Sequence, residues 1–214
     1  MSFGKFIWSA IGKKVVMALT GSYLGLFLLV HLIGNSTTFW GADSFISYAS
    51  HLHALGPLIS IFEISLLAIF MIHIVFAAFL YFENITARDK RYYKQNNAGG
   101  RTWGSRTMPY TGLLILLFVV LHLNAFRGIR SADVAIIVHN TLSNPLIALY
   151  YVISLIALII HLSHGFWSIF QSLGLIGEKY ENFIKCGAKI ISVAGGLVFI
   201  AIPVLIIFCP SFLK

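Results

Sequence analysis

Five long apolar runs dominate the chain, and the segments between them hold nearly all of its charge. The first runs from about Val15 to Gly34 without a charged residue, and the second from about Pro57 to Phe82 with one acid, Glu63. The third covers about Pro109 to Phe126, the fourth about Pro145 to Leu173, and the fifth about Ala188 to Phe208. Each approaches or exceeds the roughly 20 apolar residues that a helix needs to cross a bilayer. Backbone polar groups in lipid must be bonded within their own segment, and the alternation of an outer-membrane strand is absent, so all five read as helices. The expected fold is an all-α membrane protein of five transmembrane helices, one membrane domain over residues 1–214. Ahead of the first run, Phe3, Phe6, Ile7 and Ile11 recur at helical spacing among polar residues. That pattern predicts a short interfacial helix over about Ser2 to Lys14. A cleaved signal peptide competes, but the first run is too long for one and lacks a small-residue cleavage site.

Composition narrows the class. Of 214 residues, 58% are hydrophobic and 10% charged, with a mean hydropathy of +0.88. Soluble domains carry about 25% charged residues, so an ordinary water-soluble enzyme is excluded, as is a disordered chain. The net charge of +8 is explained by orientation. Lys5, Lys13 and Lys14 precede the first run. Arg88, Lys90, Arg91, Lys94, Arg101 and Arg106 lie between the second and third. Lys179, Lys185 and Lys189 lie between the fourth and fifth. These twelve fall on one side, against Arg127, Arg130 and Lys214 on the other. The positive-inside rule places the N-terminus in the cytoplasm and the C-terminus outside, and no nucleic-acid partner is needed. Cys186 and Cys209, near opposite ends of the last run, cannot meet within one straight helix. No CxxCH or cysteine cluster points to covalent haem or an iron–sulfur centre.

The candidate chemistry lies in the histidines. The first four runs carry His31, His73, His122 and His161, the fourth adds His164, and the fifth has none. Ionisable groups within a bilayer are costly and usually functional. Given the helix directions, His31 and His122 lie in the outer halves of their helices. His73 and His161 each come 16 residues after the start of theirs, Pro57 and Pro145, and so lie in the inner halves. This gives an outer pair, His31 with His122, and an inner pair, His73 with His161, about 15–20 Å apart in depth. Imidazoles from facing helices at two levels suit two non-covalent bis-histidine b haems in a four-helix bundle, with the fifth helix outside it. Zinc wants three or four ligands together and fits poorly.

An internal repeat supports this reading. Thr20-Gly21 stands before His31 as Thr111-Gly112 stands before His122, each glycine ten residues ahead of its histidine. That offset puts Gly21 and Gly112 at the inner level, where a missing side chain lets a macrocycle approach the backbone. Gly21 with Gly25 also reads as a GxxxG packing motif. Depth alone barely separates His161 from His164.

TGSYLGLFLLVHLIGN, ending at Asn35, resembles the first helix of the dihaem cytochrome b membrane subunit of succinate dehydrogenases and fumarate reductases. TGLLILLFVVLHL resembles the third helix, and HLSHGFWSIFQSLG, from His161 to Gly174, the fourth. The resemblance implies that His31 and His122 ligate the distal, outer haem iron and that His73 and His161 ligate the proximal, inner one. In the family, the fourth-helix ligand is followed by glycine four residues later and by another at the helix end. His161 with Gly165 and Gly174 keeps that spacing and His164 breaks it, leaving His164 a packing role.

The resemblance further implies a subunit of the bacterial cytoplasmic (inner) membrane that anchors a flavoprotein and an iron–sulfur subunit on the cytoplasmic face. FAD and iron–sulfur clusters would reside in those partners only, with the dicarboxylate chemistry. The long basic loop from Asn84 to Met108, with Tyr92–Tyr93 and Trp103, suits docking as well as anionic lipid. Quinone, with menaquinone expected, would be the substrate here, in anaerobic respiration or the tricarboxylic acid cycle. A dimer of the whole complex and the direction of reaction stay open.

Glu63, the one acid well within an apolar run, and then His53 are the quinone and proton candidates; His51 and His139 read as solvated outer residues. Arg127 and Arg130, beyond His122, could pair with outer-haem propionates or anchor at the interface. Some relatives carry a glutamate two residues before the fourth-helix ligand, where this chain has Ile159, so a proton route through that residue is unsupported. The runner-up is a dihaem cytochrome b of hydrogenase or formate dehydrogenase type. A haem-free transporter ranks lower because it leaves the repeat unexplained.

Overall fold

The computed structural model describes residues 2–86 and 103–213. Among these the backbone is helical, with no strand. Helix α1 (Phe3–Ile7) leads into α2 (Ala10–Ser36), which runs on into a 3-10 turn at Thr37–Trp40. Next come α3 (Ala42–His53), α4 (Pro57–Thr86) and α5 (Trp103–Phe126). A turn at Ser131–Asp133 precedes α6 (Val134–Leu142) and α7 (Pro145–Ser172), and a turn at Glu178–Tyr180 precedes α8 (Glu181–Phe208). Five helices, α2, α4, α5, α7 and α8, are long and apolar enough to cross a membrane.

These helices outrun their apolar cores. The Ser9 hydroxyl accepts from the Gly12 amide at 3.0 Å, an N-cap that starts α2 at Ala10 rather than near Val15. The segment expected as one interfacial helix is therefore α1, a break at Trp8–Ser9, and the first turn of α2. Lys13 is 6% exposed and ion-paired with Glu83 near the end of α4. Trp8 stacks on Phe76 and meets Phe79 edge-on, which fixes the entry to α2 against α4. Helix α5 starts at Trp103 with Pro109 inside it, and α8 starts at Glu181 with Pro203 inside it. Neighbouring helices let spanning helices tolerate such prolines. Of the long loop expected from Asn84 to Met108, residues 84–86 belong to α4 and 103–108 to α5. Arg88, Lys90, Arg91, Lys94, Arg101 and Tyr92–Tyr93 lie outside the described residues, as does Lys214.

Helix α7 is the hub, packed on α8, α5 and α2, while α2 also carries α4. The histidine-bearing helices form two pairs, α2 with α4 and α5 with α7, joined along α2 and α7. At Gly196 of α8 the Ile159 side chain fills the space a Cβ would need, so Ile159 serves the α7–α8 contact. Helix α4 has no fully buried residue and rests mainly on α2.

The buried core gathers at the end where α2 finishes, the outer end by the charge distribution. There Leu142, Tyr151, Ile202 and Ile206 pack with Phe118, Phe126 and Phe212, and a second cluster joins Phe45, Ala135 and Leu213. Helices α3 and α6, which the apolar runs did not announce, supply much of this cap. Tyr48 of α3 lies so close to α2 that a Cβ on Gly34 would stand 2.5 Å from its ring. His139 is the correction among the outer histidines: it is buried, not solvated, and its Nδ1 donates to the Phe212 carbonyl at 3.0 Å.

Candidate functional site

At the inner level the two helix pairs repeat one arrangement. His73 of α4 turns its Nδ1 to the Thr20 hydroxyl of α2 at 2.9 Å, and His161 of α7 turns its Nδ1 to the Thr111 hydroxyl of α5 at 3.1 Å. Each hydroxyl is also bonded to its own helix, Thr20 to the Val16 carbonyl at 2.8 Å and Thr111 to the Thr107 carbonyl at 3.0 Å. A hydroxyl has one proton to donate and those carbonyls take it, so towards histidine it is the acceptor. Nδ1 is then the protonated nitrogen in both rings, and Nε2 keeps its lone pair for a metal. The glycine after each threonine lies against the same ring. A Cβ on Gly21 would stand 3.5 Å from His73 Cε1, and one on Gly112 would stand 3.6 Å from His161 Cε1. A methyl group at either position would stand in ordinary van der Waals contact with the imidazole. His73 and His161 are themselves within electrostatic range of each other.

The outer level is built differently. The rings of His31 on α2 and His122 on α5 lie 5.9 Å apart between centroids, nearly perpendicular. Two imidazoles this close on facing helices would be placed to hold one metal-bearing group between them. Aromatic rings surround the pair: Phe27 and Phe199 lie 5.3 and 5.8 Å from His31, and Phe118 and Phe126 lie 5.5 and 5.2 Å from His122. The Tyr151 hydroxyl comes within 3.4 Å of His122 Nδ1. Gly21 and His31 lie ten residues apart on the unbroken α2, as Gly112 and His122 do on α5, so the levels are about 15 Å apart along the bundle.

Among the described residues no group of three or more His, Cys, Asp or Glu side chains could hold a metal ion. His164, three residues beyond His161 on α7, is also within electrostatic range of the His161 ring. It fills the approach between α7 and the start of α5, where a Cβ on Gly104 would stand 2.8 Å from it, and it meets Trp167 at 5.8 Å. A Cβ on Gly25 would meet nothing within 4 Å, so its half of the GxxxG motif makes no helix contact.

The remaining candidates are more scattered. Glu63 is exposed on α4 and makes no hydrogen bond or ion pair among the described residues. His53 is exposed at the end of α3, its Nδ1 donating to the Ala49 carbonyl of its own helix at 3.0 Å. No hydrogen bond or ion pair joins it to Glu63 among the described residues. Arg127 is exposed just past α5, and Arg130 is committed to Asp133 at 2.7 Å.

The model of the family described as "Succinate dehydrogenase/Fumarate reductase transmembrane subunit" matches residues 83–208, more than half of the chain. The chain belongs to that family. As a member it is a multi-pass transmembrane subunit. The chain is also similar to the "Succinate dehydrogenase cytochrome b558 subunit" of Bacillus subtilis (strain 168). The two are 29% identical over 160 residues, which cover 71% of this chain and 74% of the relative. No solved structure matches the chain significantly. The family match takes in α5 and α7, with His122, His161 and His164, while His31 and His73 lie before it.

Two threonines and a tyrosine that touch the histidines had no role in the sequence reading. The threonines were visible in the Thr-Gly repeat, which was read for its glycines alone. Tyr151 carried no signal, because its contact with His122 joins positions 29 residues apart on different helices.

Proposed function

We propose that the chain is the dihaem cytochrome b subunit of a succinate:quinone oxidoreductase or quinol:fumarate reductase, carrying electrons between quinone and the iron–sulfur clusters of a partner. His31 and His122 would hold the outer b haem, and His73 and His161 the inner one. A haem held by two imidazoles exchanges single electrons without leaving a position for oxygen. The observation that carries this reading is the matched inner arrangement, a threonine and a glycine from one helix on a histidine of the next, made twice at one level. Thr20 and Thr111 hold the rings, and Gly21 and Gly112 keep the adjacent wall low enough for a flat macrocycle. Two stations about 15 Å apart divide a hydrocarbon core of about 30 Å, so neither station alone has to cross it.

The flavoprotein and iron–sulfur subunits would sit on the basic cytoplasmic face and hold FAD and the clusters. The N-terminus would be cytoplasmic. Quinone, menaquinone by family likeness, would exchange protons as well as electrons, with Glu63 and His53 as the candidate proton groups near the outer level. Arg127 is a candidate for an outer propionate, and more so than Arg130, which has Asp133. His164 packs beside Trp167. The reading embraces both directions of the reaction.

Affinity purification of the full chain from its own membranes tests it. A flavoprotein active on succinate or fumarate, together with an iron–sulfur protein, should co-purify. Recovery of a hydrogen- or formate-oxidising enzyme instead would overturn the assignment.

A further inference from the structure

We propose that Thr20 and Thr111 are positioning residues that fix the tautomer of the inner histidines and hold down the reduction potential of the inner haem. The inference rests on the dihaem reading above. Its starting point is the direction of two hydrogen bonds. Both hydroxyls are buried, with Thr20 6% and Thr111 8% exposed. Each donates to a carbonyl of its own helix and accepts from a histidine of the neighbouring helix.

Back-bonding of serine and threonine to a carbonyl one turn earlier is common in helices and carries no message by itself. Ser22 and Ser192 do it here, at 2.8 and 2.7 Å, and neither touches a histidine. What sets Thr20 and Thr111 apart is the cross-helix partner. The back-bond takes the one hydroxyl proton and turns the lone pairs outward, so only a protonated Nδ1 can complete the pair. The device works twice, on two helix pairs, with the glycine that follows each threonine lying against the same imidazole.

The chemical consequence follows from the donor role of Nδ1–H. An imidazole that donates a hydrogen bond through one nitrogen is a stronger base at the other, and a hydrogen bond behind the ligand orients the ring. Stronger donation from Nε2 favours the ferric over the ferrous ion, so the bond lowers the potential. The outer level has no such pair. His122 meets the Tyr151 hydroxyl at a longer 3.4 Å, and the rings there are held mainly by aromatic packing. Ligand hydroxyls on one haem alone let the protein adjust one potential without moving the other.

Redox titration of the complex purified with the full chain, followed optically and by low-temperature EPR, tests the proposal. The inner haem is identified as the signal lost in His161→Ala. Thr20→Val and Thr111→Val keep the side-chain shape and remove the acceptor. Each should raise the midpoint potential of the inner haem and shift its EPR signal, and the pair together should shift it further, while the outer haem stays put. Thr20→Ser and Thr111→Ser should titrate as the parent does. Loss of the inner haem in the valine variants, with retention at the parent potential in the serine variants, equally assigns the role to the hydroxyl. Valine variants that titrate as the parent would overturn the proposal, and so would serine variants that change as much as the valine ones. Those failures occur with two haems in place. A parent complex without b haem would instead overturn the dihaem reading on which the proposal stands.

Discussion

The inner and outer levels each present a pair of imidazoles but hold the rings by different means. At the inner level each ring meets a hydroxyl and a glycine of the adjacent helix. At the outer level His31 and His122 face each other inside a ring of aromatic side chains, beneath the cap formed by α3, α6 and residues 209–213. Local side-chain bonds hold the inner rings, and aromatic packing surrounds the outer ones. A substitution in the cap should therefore be felt at one level, and a substitution in the Thr-Gly repeat at the other.

The largest effect belongs to the ligands. His161→Ala should lower the haem content from two to one per chain by pyridine haemochrome assay, and His31→Ala should do the same at the other level, while His164→Ala keeps both haems. Loss of haem on His164→Ala with retention on His161→Ala would break the inner half of the comparison. Next comes the wall. Gly112→Leu grows a branched side chain into the His161 ring from a Cβ that would stand 3.6 Å away. It should abolish the inner haem and spare the outer one. Gly25→Leu, whose Cβ would meet nothing within 4 Å, should leave both. A smaller effect is expected in the cap. His139→Ala strands the Phe212 carbonyl, a loss of about 1–3 kcal/mol for a buried bonded group. It should lower the thermal unfolding temperature of the purified complex by a few degrees and loosen the outer haem before the inner. Smallest is Tyr151→Phe. Its hydrogen bond to His122 is long, so the outer-haem potential should move less than the inner-haem potential moves in Thr20→Val. A larger outer shift would mean that hydrogen bonding, not packing, governs that level too.

Much of this was legible in the chain. Twenty-residue apolar runs read as spans, and the structure has five helices long and apolar enough to cross a membrane; the sorting of Lys and Arg supplies the expected directions. Helix directions then bring His31 level with His122 and His73 level with His161. Helix ends were less legible because polar residues such as Lys13 and Lys14 can continue a helix at the membrane surface, and the Ser9 cap acts regardless of hydropathy. Helix α3 is of mixed polarity and α6, though apolar, has only nine residues, so no long apolar run announced them. The burial of His139 depends on a carbonyl 73 residues away, a contact no local pattern encodes. The threonines were visible in the repeat, but their contacts with His73 and His161 join different helices and needed the structure.

The most direct test of the account is the haem content of the chain purified in its complex, measured by pyridine haemochrome against a protein determination. The account predicts two b haems per chain, one for each histidine pair. A value of zero, or of one in a complex shown to be fully loaded, would contradict it.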